Sequence, residues 1–182
     1  MKKQIYMTRS IIFLFIPFIF GFQTPNYEEK PIIVYFEQII NEYRVSNGLN
    51  PIEIDHSMKE FADSRSKSLM TDYSHNGFNE TIHSYIFDFT YGGENIVKIY
   101  IPKKDVIGGW ISDVKEIDEI LNKMTLRTST DYDVAKYCFL SWKHSESHNE
   151  LLLDKKIKRF YLSYQKTESH YYFSFIALDH EL

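Results

Sequence analysis

The apolar residues of this chain change their period once, and late. From residue 31 to about 144 they recur at spacings of three and four, whereas over 158–164 and 171–178 they alternate. The first spacing lays a stripe on a helix, and the second fits a half-buried strand. The chain therefore supplies helices first and a hairpin last, with Glu168-Ser169 marking the turn. That order predicts an α+β layered fold in which helices cover a small antiparallel sheet. One cysteine, Cys138, stands among 182 residues, so no intramolecular disulfide forms and packing alone must hold the domain.

The N-terminus is set apart. Lys2, Lys3 and Arg9 precede an apolar run over 11–22. A basic stretch before about a dozen apolar residues is the pattern of a secretory signal peptide, whereas a membrane span needs about 20. No small-residue cleavage site follows Gly21-Phe22-Gln23-Thr24, so an uncleaved anchor is the alternative. The expected organisation is a signal or anchor at 1–23, a polar linker at 24–30 and one domain at 31–182. Without the leader, 18 Lys and Arg stand against 25 Asp and Glu, a formal charge of −7. That balance offers no footprint for nucleic acid. The chain is expected to be secreted or in the cell envelope, touching a membrane only through 1–23.

Ile32, Phe36, Ile39, Ile40 and Tyr43 predict a first helix, begun at Pro31 and ended near Asn47-Gly48. Met58, Phe61, Ala62, Leu69 and Met70 predict a second, with Ser57 and Glu60 spaced as a capping box. Arg65 and Ser66 interrupt its inward stripe. A short helix is expected over 80–87, facing in through Ile82, Tyr85 and Ile86. Residues 98–130 read as an insertion carrying an amphipathic helix of Val106, Trp110, Val114, Ile117, Leu121 and Met124. Thr128-Ser129-Thr130-Asp131 then caps a helix over 132–144 that buries Val134, Cys138, Phe139 and Trp142.

Polar motifs lie between these elements. Asn41-Glu42-Tyr43-Arg44 is followed by Asn47-Gly48-Leu49-Asn50-Pro51, and His75 by Gly93-Glu94-Asn95-Ile96. Trp142-Lys143-His144-Ser145-Glu146-Ser147-His148 comes later, and Tyr171-Tyr172-Phe173-Ser174-Phe175 closes the series. In this order they resemble the CAP superfamily in its bacterial secreted form, the SCP domain, whose second signature is W-x-x-S-P-x-H. The resemblance covers most of 31–178 outside the insertion. It implies an α-β-α sandwich whose cleft gathers His75, Glu94, Asn95, Ser145 and His148. His170 competes with His148 for the place of the second cleft histidine. Ser145 stands where many eukaryotic relatives carry a second glutamate, so their tetrad of two His and two Glu is incomplete here.

Three function classes follow from different residues. The first is a non-enzymatic binding module whose cleft takes a small apolar ligand such as a lipid, or a peptide. The second is a metal-assisted hydrolase. His75, Glu94 and His148 supply two imidazoles and one carboxylate, a set that holds zinc or another divalent metal and leaves a position for water. The same three groups could instead hydrogen-bond their loops together. The third is a protein-interaction module built on the insertion helix. A serine hydrolase would pair Ser145 or Ser147 with His148 or His75, but no strand–elbow–helix pattern frames either serine. Glu94 becomes a candidate general base if buried against Tyr91 and Ile96.

Overall fold

A computed structural model describes residues 29–86, 89–101 and 115–179. The leader at 1–23 and the insertion residues Val106, Trp110 and Val114 lie outside them. The first helix, α1 (Pro31–Ser46), starts on its proline and buries Ile32, Ile33, Phe36, Ile39, Ile40 and Arg44. The inward Arg44 satisfies the carbonyls of two connections. Its Nε donates to Asn50 O at 2.9 Å, and its Nη1 to Leu152 O and Asp154 O at 2.8 and 3.1 Å. Burial lowers the Arg44 pKa, and Asp154 opposes that shift.

Four strands form the sheet, in the order β1-β3-β4-β2. They are β1 (Glu53–Ile54), β2 (Gly92–Tyr100), β3 (Arg159–Lys166) and β4 (His170–Leu178). The expected hairpin is β3–β4. β2 lies antiparallel to β4 over its whole length, from Gly92 opposite Leu178 to Tyr100 opposite His170. β1 adds a two-residue parallel edge on β3. The strand β2 extends through residues 98–100, which the sequence reading assigns to the insertion. Gly92 permits its close pairing, since a Cβ there would stand 2.7 Å from Ala177 O.

The sheet is covered on both faces. On one lies α2 (Lys59–Ser68), whose Ser66 hydroxyl meets that of Ser163 at 3.0 Å. On the other lie α1 and α5 (Asp131–Lys143). There the Phe36 ring sits 5.5 Å from Phe175 and 5.6 Å from Trp142, centroid to centroid. The result is the expected α-β-α sandwich. Cys138 is wholly buried in that core, and burial pushes its thiol pKa up.

Several local expectations are corrected. Ser57 does not cap α2, because a 3-10 turn, His56–Met58, comes first and Asp55 accepts the Ser57 N–H at 2.9 Å. Met70 and Tyr85 are exposed, because α2 ends at Ser68 and α3 (Phe78–Ile82) ends before Tyr85. The insertion helix α4 (Lys115–Thr125) buries Ile117, Ile120 and Met124 in the main core. Lys123 and Glu116 tie it to Asp133 and Lys136 of α5, at 2.6 and 3.2 Å. The described part of the expected stripe therefore packs into the domain through Ile117 and Met124.

Candidate functional site

The site begins with Arg65, one of the two residues that interrupt the α2 stripe. Glu94 points from β2 toward the α2 face, where its carboxylate is almost wholly buried. Arg65 meets it side on, Nε to Oε1 at 2.8 Å and Nη2 to Oε2 at 2.9 Å. This two-point geometry matches the guanidinium fork and fixes both planes. Ser174 on β4, diagonal to Glu94 across the ladder, donates to Oε1 at 2.9 Å.

The same guanidinium builds the histidine loop. Arg65 Nη1 donates to Asn76 O at 2.8 Å and Nη2 to Ser74 O at 3.1 Å. Those carbonyls bracket His75, whose Nδ1 reaches Glu94 Oε2 at 3.2 Å. The His75 side chain is 54% exposed, against 1% for Glu94. Glu94 thus orients an open imidazole from beneath.

The second wall comes from α6 (Glu146–Leu152). Ser145 is its N-cap residue, and its hydroxyl meets His148 Nδ1 at 2.8 Å. The contact forms across the start of a new helix, the chain having turned at His144. Asn95 donates from β2 to His148 O at 2.9 Å and locks this wall to the sheet. Tyr43 OH similarly bonds Asn149 Oδ1 at 3.1 Å. Burial first, and then the neighbouring His75, lower the His148 pKa below its ordinary value.

That shift makes a pH prediction. The folded state holds His148 with fewer protons than the unfolded chain, so stability rises with pH across the interval between the two pKa values. The contribution is complete above the unfolded value of about 6.5 and is lost as pH falls through the interval. In a proton NMR titration His148 is expected to titrate below the ordinary imidazole range. In His75→Ala its midpoint should move upward, but only in part, because burial remains.

The structure therefore brings together five of the six residues expected in the cleft, and not the sixth. His170 opens β4 opposite Tyr100, whereas Glu94 lies opposite Ile176. Six residues of strand separate those positions, about 20 Å. His170 instead meets the Ser169 hydroxyl at 2.8 Å and the Tyr100 ring.

Each residue of the expected metal set is held by a protein partner. No group of three metal-capable His, Cys, Asp or Glu side chains forms among the described residues. The donor chemistry explains this, for both Glu94 oxygens face the Arg65 cation and the His75 nitrogen facing Glu94 is Nδ1. A divalent ion at Glu94 would have to displace a buried guanidinium. A Ser-His-acid relay does not form either, since Glu94 orients His75 while Ser145 bonds His148.

Arg65 and Ser174 are the site residues that the sequence reading left out. A charged residue in the inward stripe of a helix is the signal for Arg65, because such a residue is almost never buried without a partner. Ser174 gave no such signal inside an aromatic strand.

A model of the CAP family, described as the cysteine-rich secretory protein family, matches residues 38–177. No curated protein matches the chain. Among solved structures, a cysteine-rich secretory protein of Staphylococcus aureus superposes with a TM-score of 0.55 at 15% identity. That match covers 86% of this chain and 41% of the staphylococcal one. An outer surface protein of Borrelia burgdorferi gives 0.55 at 18% identity, over 83% of this chain and 95% of its own. An extracellular protein of Bacillus anthracis containing a SCP domain gives 0.50 at 16%, over 80% and 40%. At these identities the likeness concerns the fold.

Proposed function

The chain belongs to the CAP family, and we propose that it is a non-enzymatic binding module acting outside the cytoplasm. The carrying observation is the closed state of Glu94. Its carboxylate is buried and held by Arg65, Ser174 and His75. A general base needs a lone pair within reach of substrate, and this one is directed into the protein. Glu94 holds a surface in shape.

That surface consists of the half-exposed His75 and the Ser145–His148 wall beside it. Each imidazole is bound through Nδ1 and keeps Nε2 for a ligand. An open, polar wall of this kind suits a peptide backbone, which offers donors and acceptors in alternation. Of the two ligand classes expected from the sequence, we assign the peptide to the cleft. The basic and apolar leader supports placement in the envelope or medium. So do the outer-surface and extracellular proteins that share the fold.

Selection of displayed random peptides on the protein, counter-selected on a His75→Ala/His148→Ala double variant, tests this reading. Peptides that bind the parent at micromolar strength and the variant at least tenfold more weakly are expected. Titrated into the same two proteins, zinc should produce no saturable 1:1 heat. Failure to recover any discriminating peptide, or stoichiometric zinc binding lost in the variant, would reject it in favour of metal-assisted chemistry.

A further inference from the structure

A second cavity, of about 700 Å³, opens at the other end of the sheet, between the α4–α5 connection and the β3–β4 turn. Tyr171 in its floor is five strand residues from Ile176, the partner of Glu94, or about 16 Å. Met124, Val134 and Ile101 complete an apolar floor. Arg127, Asp131, Lys166 and Glu168 supply two charges of each sign around it. None of these four is ion-paired among the described residues, although Lys166 lies 5.0 Å from the Tyr171 ring. The volume falls within the range of small-molecule sites, and a mainly polar and charged rim surrounds the apolar floor.

Arg127 stands where glycine would be expected. Thr128 N–H bonds Lys123 O at 2.8 Å and Arg127 N–H bonds Met124 O at 3.1 Å. These are the two bonds of a Schellman motif, and Arg127 occupies its left-handed position with φ of 59°. It is the one non-glycine residue with positive φ among the described residues. A side chain makes that conformation costly, and glycine would close the helix equally well. The backbone gives no reason for arginine, but the cavity does, because the side chain lines it.

We propose that this cavity binds a small zwitterionic amphiphile, a single apolar chain carrying a compact head of both charges. The anionic part of the head meets Arg127 and Lys166, and the cationic part meets Asp131 and Glu168. The chain lies over Met124, Val134 and Tyr171. A purely anionic or purely cationic ligand would leave two like charges facing it.

Calorimetric titration of the whole chain with n-octylphosphocholine tests the assignment. A saturable 1:1 isotherm is expected, with octanol and octyltrimethylammonium binding at least tenfold more weakly. Arg127→Gly should weaken octylphosphocholine binding at least tenfold while leaving the Tm unchanged or higher, because glycine suits the left-handed position. Lys166→Gln provides a second variant with the same expected loss, and His75→Ala/His148→Ala should bind as the parent does. Equal binding of octanol, or octylphosphocholine affinity unchanged in both rim variants, overturns the proposal.

Discussion

Arg65→Ala is expected to lower the unfolding free energy by about 3–5 kcal/mol, the loss typical of a buried ion pair stripped of one partner. The side chains of Arg65 and Glu94 are 7% and 1% exposed, so water cannot take the place of the missing guanidinium. Against a domain stability of about 5–15 kcal/mol, that loss should move the urea midpoint far to the left. The effect has a spatial signature as well. Ser74 O and Asn76 O lose their donor, so amide exchange should accelerate in the loop carrying His75. Arg65→Lys should recover only part of the stability, since an ammonium cannot meet both carboxylate oxygens in one plane. Arg65→Met/Glu94→Leu should refold much better than Arg65→Ala, because it removes the orphaned charge. It should still leave His75 without its anchor. An unfolding midpoint unchanged in Arg65→Ala would refute the view that this pair organises the cleft.

Arg44→Ala is expected to cost a comparable amount, about 3–5 kcal/mol, for a different reason. Arg44 is 1% exposed and faces backbone carbonyls from two separate connections. Among the described residues its hydrogen bonds all go to backbone carbonyls, although the Asp154 carboxylate lies near enough to raise its pKa. Removing Arg44 leaves Leu152 O buried without a donor and Asp154 O with only the long bond from Ile157 N–H at 3.4 Å, and it opens a void where the stem was packed. Hydrogen exchange should rise selectively over residues 152–158, ahead of global unfolding. Exchange that rises uniformly, with no local excess, would show that Arg44 contributes through packing rather than through those carbonyls.

The two arginines illustrate what the sequence could and could not convey. The β3–β4 hairpin was legible because Glu168-Ser169 separates two runs rich in aromatic residues, although β4 is buried on both faces and shows no alternation. The helix α1 was legible because Pro31 and Gly48 bracket an unbroken stripe. By contrast, β2 is hidden. It begins with two glycines, carries the buried Glu94 and Asn95, and is covered on both faces along much of its length, so it shows no alternation. The α2 arginine announced that something buried would be paired, but not with what. Its partner lies 29 residues away, and that distance is bridged by tertiary packing alone. His148 and His170 could not be separated by spacing, because strand register decides between them and spacing does not encode register. The surroundings of the expected zinc set were hidden for a related reason. Residue types gave the ligands, but only the fold revealed that a guanidinium was already at the carboxylate.

The bond from Trp142 bears on how this protein behaves at high concentration. β2 is the outermost strand on its side of the sheet, and such a strand can serve as a template for pairing with another chain. Here the indole Nε1 donates to Ile96 O at 3.0 Å, halfway along the strand. Asn95 on the same strand is tied to α6 by its bond to His148 O. A foreign strand pairing along that margin would find the Ile96 carbonyl already engaged. The tryptophan of the second signature is therefore a core residue that also takes up one carbonyl of the strand carrying the cleft carboxylate, leaving that margin one pairing group fewer.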